Sequence, residues 1–429
     1  MTDSKTRRDF MKAAGAVAVA ASVVPTVHAA GTDIIKVGLI GCGGRGRGAA
    51  QDCLKADKSV QITAVADVFM DRAQGFAKGL KEGGFKDRVD IGDRVFGGLD
   101  AYQKLIASGV DLVILATPPG FRPTHLEAAI TAGKHVFTEK PVAVDAPGIR
   151  KVLALVEVAK SKNIAVVAGT QRRHQKSYLE VYKRIQNGDI GDIVGGRCAW
   201  NNAGIWFNKR EANVTDVVYQ LKNWYHFVWL CGDHIVEQHV HNLDVINWFI
   251  GQHPVRATGM GGRIGGHSAR PNGESKEVGN IFDHFAVEYE YGNKVEIASY
   301  CRHYPGPGDV SEMVVGTKGT IRTASGGFFT INGKEIYSAE QDNKDTSPYV
   351  LEHVDMINSI KAGKPLNELQ SVAESTMTAI MGRMSTYTGE SLTWDKALAS
   401  KLDTMPANLS LEMELAVPPV SVPGKTKFV

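Results

Sequence analysis

The sequence predicts an α/β protein, with a doubly wound parallel sheet near its N-terminus and then a second α/β domain carrying a large open, mainly antiparallel sheet. Three observations lead there. Short β-branched apolar runs alternate with helix-period segments over residues 34–168. Residues 110–116 (VDLVILA) are apolar except at Asp111, as a strand buried on both faces should be. Beyond residue 285 the runs instead alternate apolar and polar, with turn residues at Gly292-Asn293 and Lys318-Gly319, as in antiparallel strands.

Composition narrows the function classes. Of 429 residues, 43% are hydrophobic and 22% charged, which excludes disordered, collagen-like and coiled-coil chains. A net charge of +3, with no basic stripe, gives no electrostatic reason to bind nucleic acid. Five scattered cysteines form neither a C-x-x-C pair nor a disulfide framework.

Residues 1–29 read as a twin-arginine export signal. Arg7-Arg8 precede an uncharged Ala/Gly-rich stretch over 13–24, and Val27-His28-Ala29 resembles a small-x-small cleavage site. That route carries chains already folded, often around a cofactor. The expectation is a periplasmic protein, loaded in the cytoplasm and passed through the twin-arginine machinery.

The first domain is expected over 32–170. A strand at 34–40 runs into Gly41-Cys42-Gly43-Gly44-Arg45-Gly46, which opens a helix to about Lys55. A strand at 61–66 ends at Asp67. Helices follow at about 69–81 and 99–107, then the 110–116 strand, stopped by Thr117-Pro118-Pro119. A helix at 124–132, a strand at 134–138, a helix at 147–160 and a strand at 164–168 complete the alternation. G-x-G-x-x-G alone is weak evidence, but here it lies between a strand and a helix, with an acid at the end of the next strand. Gly41 makes the tight turn, Gly43 admits the pyrophosphate, and Gly46 lets helix and sheet approach. The helix N-terminus offers free N–H groups to phosphate. Asp67 suits the adenosine ribose hydroxyls, so NAD is expected over NADP, a preference that nearby Arg72 softens. The whole unit is a Rossmann dinucleotide-binding domain.

The glycine loop, the 110–119 segment, Gly133-Lys134-His135-Val136-Phe137-Thr138-Glu139-Lys140-Pro141 and the 237–244 segment together resemble the glucose–fructose oxidoreductase / inositol dehydrogenase / MocA (Gfo/Idh/MocA) family. The resemblance covers nearly all of the chain beyond the signal. It implies that Lys140 sits beside the nicotinamide and the reacting hydroxyl. It implies that Thr117, Pro118, His125 and Glu139 line the nicotinamide pocket, and that Gln171 and Arg173 contact cofactor and substrate. It also implies that the open second sheet makes a homodimer or homotetramer.

The second domain is expected over 171–347, with helices returning to the first domain over 348–402 and an arm over 403–429. Three of the six Trp fall between 206 and 229, interleaved with Asn, Lys and His. Trp206, Trp224 and Tyr225 are therefore candidates for stacking on a sugar ring as well as for the core. A helix is expected over 235–250, placing residues 234, 237, 241 and 244 on one face. The family pattern of an acid, then a His four residues on, then an Asp three further on, falls on Glu237, His241 and Asp244. Glu replaces the usual Asp, and His239 replaces the usual Gly and is expected in the substrate site. Three readings of this segment stand: a metal site, a structural histidine cluster, and a catalytic His241. Zinc needs three or four converging ligands and His239 leaves the shared face of a regular helix, so no metal is expected.

The mechanism that follows is oxidation of a secondary alcohol on a sugar, polyol or glycoside. His241 takes the proton, Lys140 stabilises the alkoxide, and Glu237 orients His241 and raises its basicity. A tightly held NAD is expected, because an exported enzyme meets no replenished pool. A redox-neutral glycosidase, lyase or sugar–sugar oxidoreductase is the alternative, and a non-catalytic sugar or nucleotide sensor a second one.

Overall fold

The computed structural model describes residues 34–264, 278–324 and 327–429. The expected export signal lies outside them. The first sheet holds β1 (Ile35–Ile40), then α1 (Gly44–Ala56), β2 (Val60–Asp67), α2 (Met70–Glu82), β3 (Val95–Gly97), α3 (Ala101–Ile106), β4 (Leu112–Leu115), α4 (Arg122–Thr131), β5 (His135–Thr138), α5 (Ala146–Ser161) and β6 (Val166–Ala168). Its order is β3-β2-β1-β4-β5-β6 and every pairing is parallel. The order reverses between β1 and β4, so the crevice at their carboxyl ends is where a ligand binds in such a sheet. All of β4 is buried, because helices cover both faces. β3 is short and has no continuous apolar run, so sequence patterning passed over it.

The second half adds α6 (Lys176–Gln186), β7 (Ile193–Asn201), α7 (Asp216–Lys222), α8 (Val228–Cys231), α9 (His234–Glu237) and α10 (Val240–Ile250). Strands β8 (Pro254–Gly262), β9 (His284–Tyr291), β10 (Glu296–Arg302), β11 (Asp309–Gly316), β12 (Thr320–Thr323), β13 (Phe329–Ile331) and β14 (Lys334–Tyr337) follow. The chain ends with α11 (Ala339–Lys344), α12 (Pro348–Lys361), α13 (Leu369–Thr388), β15 (Leu392–Thr393), α14 (Trp394–Leu398) and an irregular tail. The nine strands are ordered β14-β13-β12-β11-β7-β10-β9-β8-β15, with β7 and β10 parallel and the other pairs antiparallel. Along β9, Phe285, Val287, Tyr289 and Tyr291 are buried while the residues between them are more open. One face of the sheet therefore packs on helices.

Two helices join the halves. Met356 and Ile357 of α12 enter the first-domain core beside Val37, Leu39, Ile114 and Phe137. α13 is buried along most of its length and shares one core with the first sheet and with Phe285 and Tyr289 of the second. The tail packs Met405, Leu409, Leu411, Met413 and Leu415 against Val217, Leu221 and Trp229. Thr215 Oγ1 donates to Leu411 O (2.5 Å) and Gln220 Nε2 to Leu415 O (2.7 Å), which fastens α7 to it.

The expected 235–250 helix is broken. α9 ends at Glu237 and α10 starts at Val240. The amides of both Gln238 and His239 donate to the carbonyl of His234, so the i→i−4 ladder slips at His239. The predicted shared face is lost with it. Glu237 and His241 turn toward a cleft, while His234 and Asp244 turn elsewhere.

Candidate active site

Two clefts meet at the carboxyl ends of the first sheet, sharing Gly44, Arg45, Ala116, Thr117 and Trp224. The first, about 860 Å³, runs along the glycine loop past Asp67, Arg72, Thr117, Pro118, Phe121 and His125. The loop fits a dinucleotide. Gly41 has φ +100, and a Cβ there would lie 2.6 Å from the Ala116 carbonyl carbon. A Cβ on Gly46 would lie 1.9 Å from the Gly41 oxygen, so α1 can pack on β1 only with glycine there. Gly43 and Gly44 have nothing within 4 Å of a built Cβ, which leaves open space for phosphate against the start of α1. The Cys42 N–H donates to Asp67 Oδ2 (2.8 Å) and the Phe69 N–H to Oδ1 (3.0 Å), which aims the carboxylate along the cleft. The Cys42 thiol is buried, so this residue serves the loop through its backbone. His125 stacks on Phe121 and lies 3.2 Å from Thr117 Oγ1. Burial, with the Arg122 charge, lowers its pKa to about 3, so it stands neutral.

The second cleft, about 1540 Å³, holds Glu139, Lys140, Glu237 and His241 with Trp200, Asn202, Trp206, Trp224, Tyr225, Gln238, His303 and Tyr349. The Lys140–Pro141 peptide is cis. Lys140 Nζ donates to the Glu237 carbonyl (2.5 Å) and to Glu237 Oε1 (3.2 Å), with both side chains about nine-tenths buried. The carboxylate expected to orient His241 therefore holds Lys140 instead. Burial raises the Glu237 pKa while Lys140 opposes it. The His241 pKa lies well below 6.5, first through burial and then through the charges of Lys140, Arg172 and Arg45. This corrects the expectation of a more basic histidine: His241 is neutral and a weak base. Its ring stacks on Trp200 at 5.9 Å between centroids, with 24° between the planes.

Glu139 pairs with Arg45 of the glycine loop, whose guanidinium lies over the Tyr349 ring at 4.7 Å. Arg45 also reaches buried Glu352 (3.5 Å), tying the loop to α12. Arg122 is 1% exposed and donates to the carbonyls of Leu115 and Thr117, both at 2.7 Å. It thereby fixes the end of β4 between the two clefts.

Several sequence-expected residues lie elsewhere. Arg173 and Asp244 line neither cleft. They form a two-pronged ion pair, 2.9 Å on each arm, and Ser375 Oγ donates to Asp244 at 2.8 Å, so the pair is a structural tie. His239 does not enter the substrate site either. The helix break turns it inward, where its Nε2 meets Ser299 Oγ at 2.7 Å. Gln171 is buried and reaches the cleft only through Tyr349, donating to its hydroxyl at 3.4 Å. Among the described residues no cluster of His, Cys, Asp and Glu is placed to hold a metal ion.

Sequence reasoning missed Arg122, Trp200, Asn202, Gln238, His303 and Tyr349. Trp200, Asn202 and His303 meet because β7 and β10 run parallel with Cys301 opposite Trp200 and Arg302 opposite Asn201. Only that pairing, between segments about a hundred residues apart in sequence, brings them together. The one local signal available was a polar or aromatic residue at the end of a strand.

Comparison with known proteins agrees with this architecture. Residues 35–170 match the oxidoreductase family, NAD-binding Rossmann fold, of GFO/IDH/MocA proteins, and residues 178–322 match the GFO/IDH/MocA C-terminal domain. An inositol 2-dehydrogenase of Azotobacter vinelandii is 26% identical over 337 residues, 77% of this chain and 87% of the relative. One from Pseudomonas savastanoi is 31% identical over 220 residues, 50% of this chain and 54% of the relative. The fold also matches scyllo-inositol dehydrogenase from Lactobacillus casei, solved with NAD(H) and scyllo-inositol (TM-score 0.62, 18% identity, 84% of this chain and 99% of that one). It matches GenD2 of gentamicin A biosynthesis, solved with NAD, at TM-score 0.62 and 17% identity, over 84% of this chain and 96% of that one. A glycine loop at the topological switch point, a lysine after Glu139 facing a second-domain acid and histidine, and the two domain matches lead to one conclusion: this chain belongs to the Gfo/Idh/MocA family of NAD-binding oxidoreductases.

Proposed function

We propose that the protein is an exported, periplasmic oxidoreductase that transfers hydride between a tightly bound NAD and a secondary alcohol of a cyclic polyol, sugar or glycoside. The observation that carries the reading is the Lys140–Glu237 pair beside His241, in a cleft that opens onto the glycine-loop cleft. The inositol dehydrogenases among the relatives support the polyol class.

NAD would lie along residues 41–46 with its ribose toward Asp67 and its nicotinamide toward Thr117, Pro118 and His125. When bound, it supplies the acceptor for hydride. The protein's own part is placement and proton handling. Lys140, held by Glu237, donates a hydrogen bond to the oxygen on which negative charge develops. His241, neutral in the folded protein, accepts the hydroxyl proton. Trp206 and Trp224, with ring centroids 5.5 Å apart, offer apolar faces for the ring C–H groups of the substrate. A homodimer or homotetramer built on the open sheet is part of the same reading. So is passage through the twin-arginine machinery.

The test is to purify the exported form without added nucleotide, quantify its bound NAD, and assay cyclitols, aldoses and glycosides for reduction of that NAD. Bound NAD reduced by at least one polyol or sugar is expected. Nucleotide-free protein that oxidises none of them, even with NAD supplied in excess, would overturn the reading. Reduction followed by spontaneous reoxidation with the same sugar would select the redox-neutral variant over net oxidation.

A further inference from the structure

The substrate cleft contains proton-handling groups that alcohol oxidation does not use. Tyr225 Oη and His303 Nε2 lie 2.9 Å apart, and both residues line the cleft. Behind them, the ring of His234 meets that of His303 edge-on at 4.3 Å between centroids. His234 Nε2 is buried with no hydrogen-bond partner among the described residues, and its Nδ1 lies 3.1 Å from Asp233 Oδ1. Asp233 is wholly buried at φ +77, ψ 162, a conformation that a non-glycine residue rarely adopts. Its carboxylate holds that shape by accepting from the amides of His234 (2.6 Å) and Phe282 (2.7 Å) and from the Tyr387 hydroxyl. A strained acid, a buried histidine and a second histidine thus stand behind a phenol that lines the cleft.

We propose that Tyr225 and His303 form a second proton-transfer pair, which removes and returns a proton on the carbon next to the one oxidised. This rests on the dehydrogenase reading, because only a ketone makes that C–H acidic. The C–H proton passes to Tyr225 Oη as the phenol's own proton passes to His303 Nε2. The C–H electron pair becomes the enolate double bond, and the charge moves to the former carbonyl oxygen, where Lys140 donates. Reversal returns a proton from the pair to carbon. No external oxidant or base is consumed. Burial and the nearby Glu237 charge keep the phenol protonated, so Tyr225 acts only as a relay in concert with His303. His234 and Asp233 are positioning residues that fix the His303 ring. The substrate class follows: a cyclic polyol or sugar whose oxidised carbon has a C–H neighbour.

The test uses the pentahydroxycyclohexanone obtained by oxidising myo-inositol. The protein is incubated with it in D2O, and deuterium at the carbons flanking the carbonyl is followed by NMR. NADH-dependent reduction of the same ketone is measured in parallel. Wild-type protein is expected to exchange deuterium at least tenfold above buffer. In Tyr225→Phe and His303→Gln the ratio of exchange to reduction should fall at least tenfold, whereas a purely structural role would move both rates together. Asp233→Asn, which keeps the packing, should lower the ratio less. Reduction of the ketone without exchange above buffer would overturn the proton-transfer pair and leave the dehydrogenase reading intact. Exchange that persists in both Tyr225→Phe and His303→Gln would also overturn it. A ketone neither reduced nor exchanged would overturn the proton-transfer pair for cyclic polyols, and the dehydrogenase reading would then be decided by the aldose and glycoside assays.

Discussion

The two clefts that meet at Thr117 and Trp224 are built in opposite ways. The cofactor cleft is built around one local unit, a strand, the three-residue turn 41–43, a helix, and Asp67 at the end of the next strand, to which the segments after β3 and β4 and the side chains of Leu221 and Trp224 are added. Its fit depends on absent side chains, since a Cβ at Gly41 or Gly46 would collide with neighbouring backbone. The substrate cleft draws on the end of β5, the segments after β7 and β10, the break between α9 and α10, and α12. Its chemistry depends on charges that hold one another, buried Lys140 on Glu237 and half-buried Arg45 on Glu139 and Glu352. Local geometry makes a reusable binding loop, whereas a reaction needs groups brought in from several directions.

Damage to the two clefts should therefore look different. Lys140→Ala removes the donor to the developing alkoxide and should lower kcat by about a hundred- to ten-thousand-fold while NAD affinity stays within a few-fold, measured by steady-state kinetics and calorimetry. A variant with near wild-type kcat would break the assignment of the second cleft as the reaction site. Gly46→Ala should do the reverse. Forcing a methyl against the Gly41 carbonyl should cost about 1–3 kcal/mol of stability and move the loop, so NAD binding weakens before chemistry does. Unchanged NAD affinity and melting temperature would refute the close approach of α1 and β1.

Arg173→Leu probes the residues that the fold takes out of the cleft. It leaves Asp244 buried with only part of its pairing and should lower stability by about 3–5 kcal/mol, with KM for substrate unchanged in the protein that remains folded. A KM effect without destabilisation would restore Arg173 to the substrate site. Asp67→Ala is a smaller perturbation. It removes one acceptor for the ribose and also frees the Cys42 and Phe69 amides, so both cofactors should weaken, NAD by about 1 kcal/mol more than NADP, and equal losses would show that Asp67 does not read the ribose.

The mildest test is pH. Burial lowers His125, His239 and His353 to about 3 and His226 to about 4. Below 6.5 the unfolded chain binds protons at these sites and the folded chain does not. Their contribution is therefore complete above pH 6.5 and declines as pH falls from 6.5 toward 4. His174 has the opposite sign. Against the effect of burial, its hydrogen bonds to Asp355 and Glu368 raise it to about 10, so its contribution is complete below 6.5 and is lost as pH rises through 10. The melting temperature should fall on the acid side from pH 6.5 and on the alkaline side toward pH 10. A flat profile between pH 4 and 6.5 would show that these histidines are not held neutral. In the same comparison, the acid limb of kcat/KM should lie below pH 6.5, following the lowered His241.

What was legible before folding was what local periodicity encodes. The strand–helix alternation, the glycine tasks, the acid at the end of β2 and the lysine after Glu139 all sit within a few residues of the features that define them, so a linear reading finds them. Strands β7 and β9 to β12 of the second sheet were legible for the same reason. Short β3, β13 and β14 and the two-residue β15 were not, because too few residues carry a pattern, and neither was the glycine-containing β8. Three outcomes belonged to packing. The amide ladder slipped at His239, so a helix read as continuous broke and sent His239 into the core. Glu237 paired with Lys140, and burial, with the charges of Lys140, Arg172 and Arg45, lowered the basicity of His241 instead of raising it. Parallel pairing of β7 with β10 put His303 and Asn202 on one edge, next to Tyr225. Each depends on contacts between segments far apart in the chain, and the desolvation and Coulomb energies that settle them exist only once those segments are buried together.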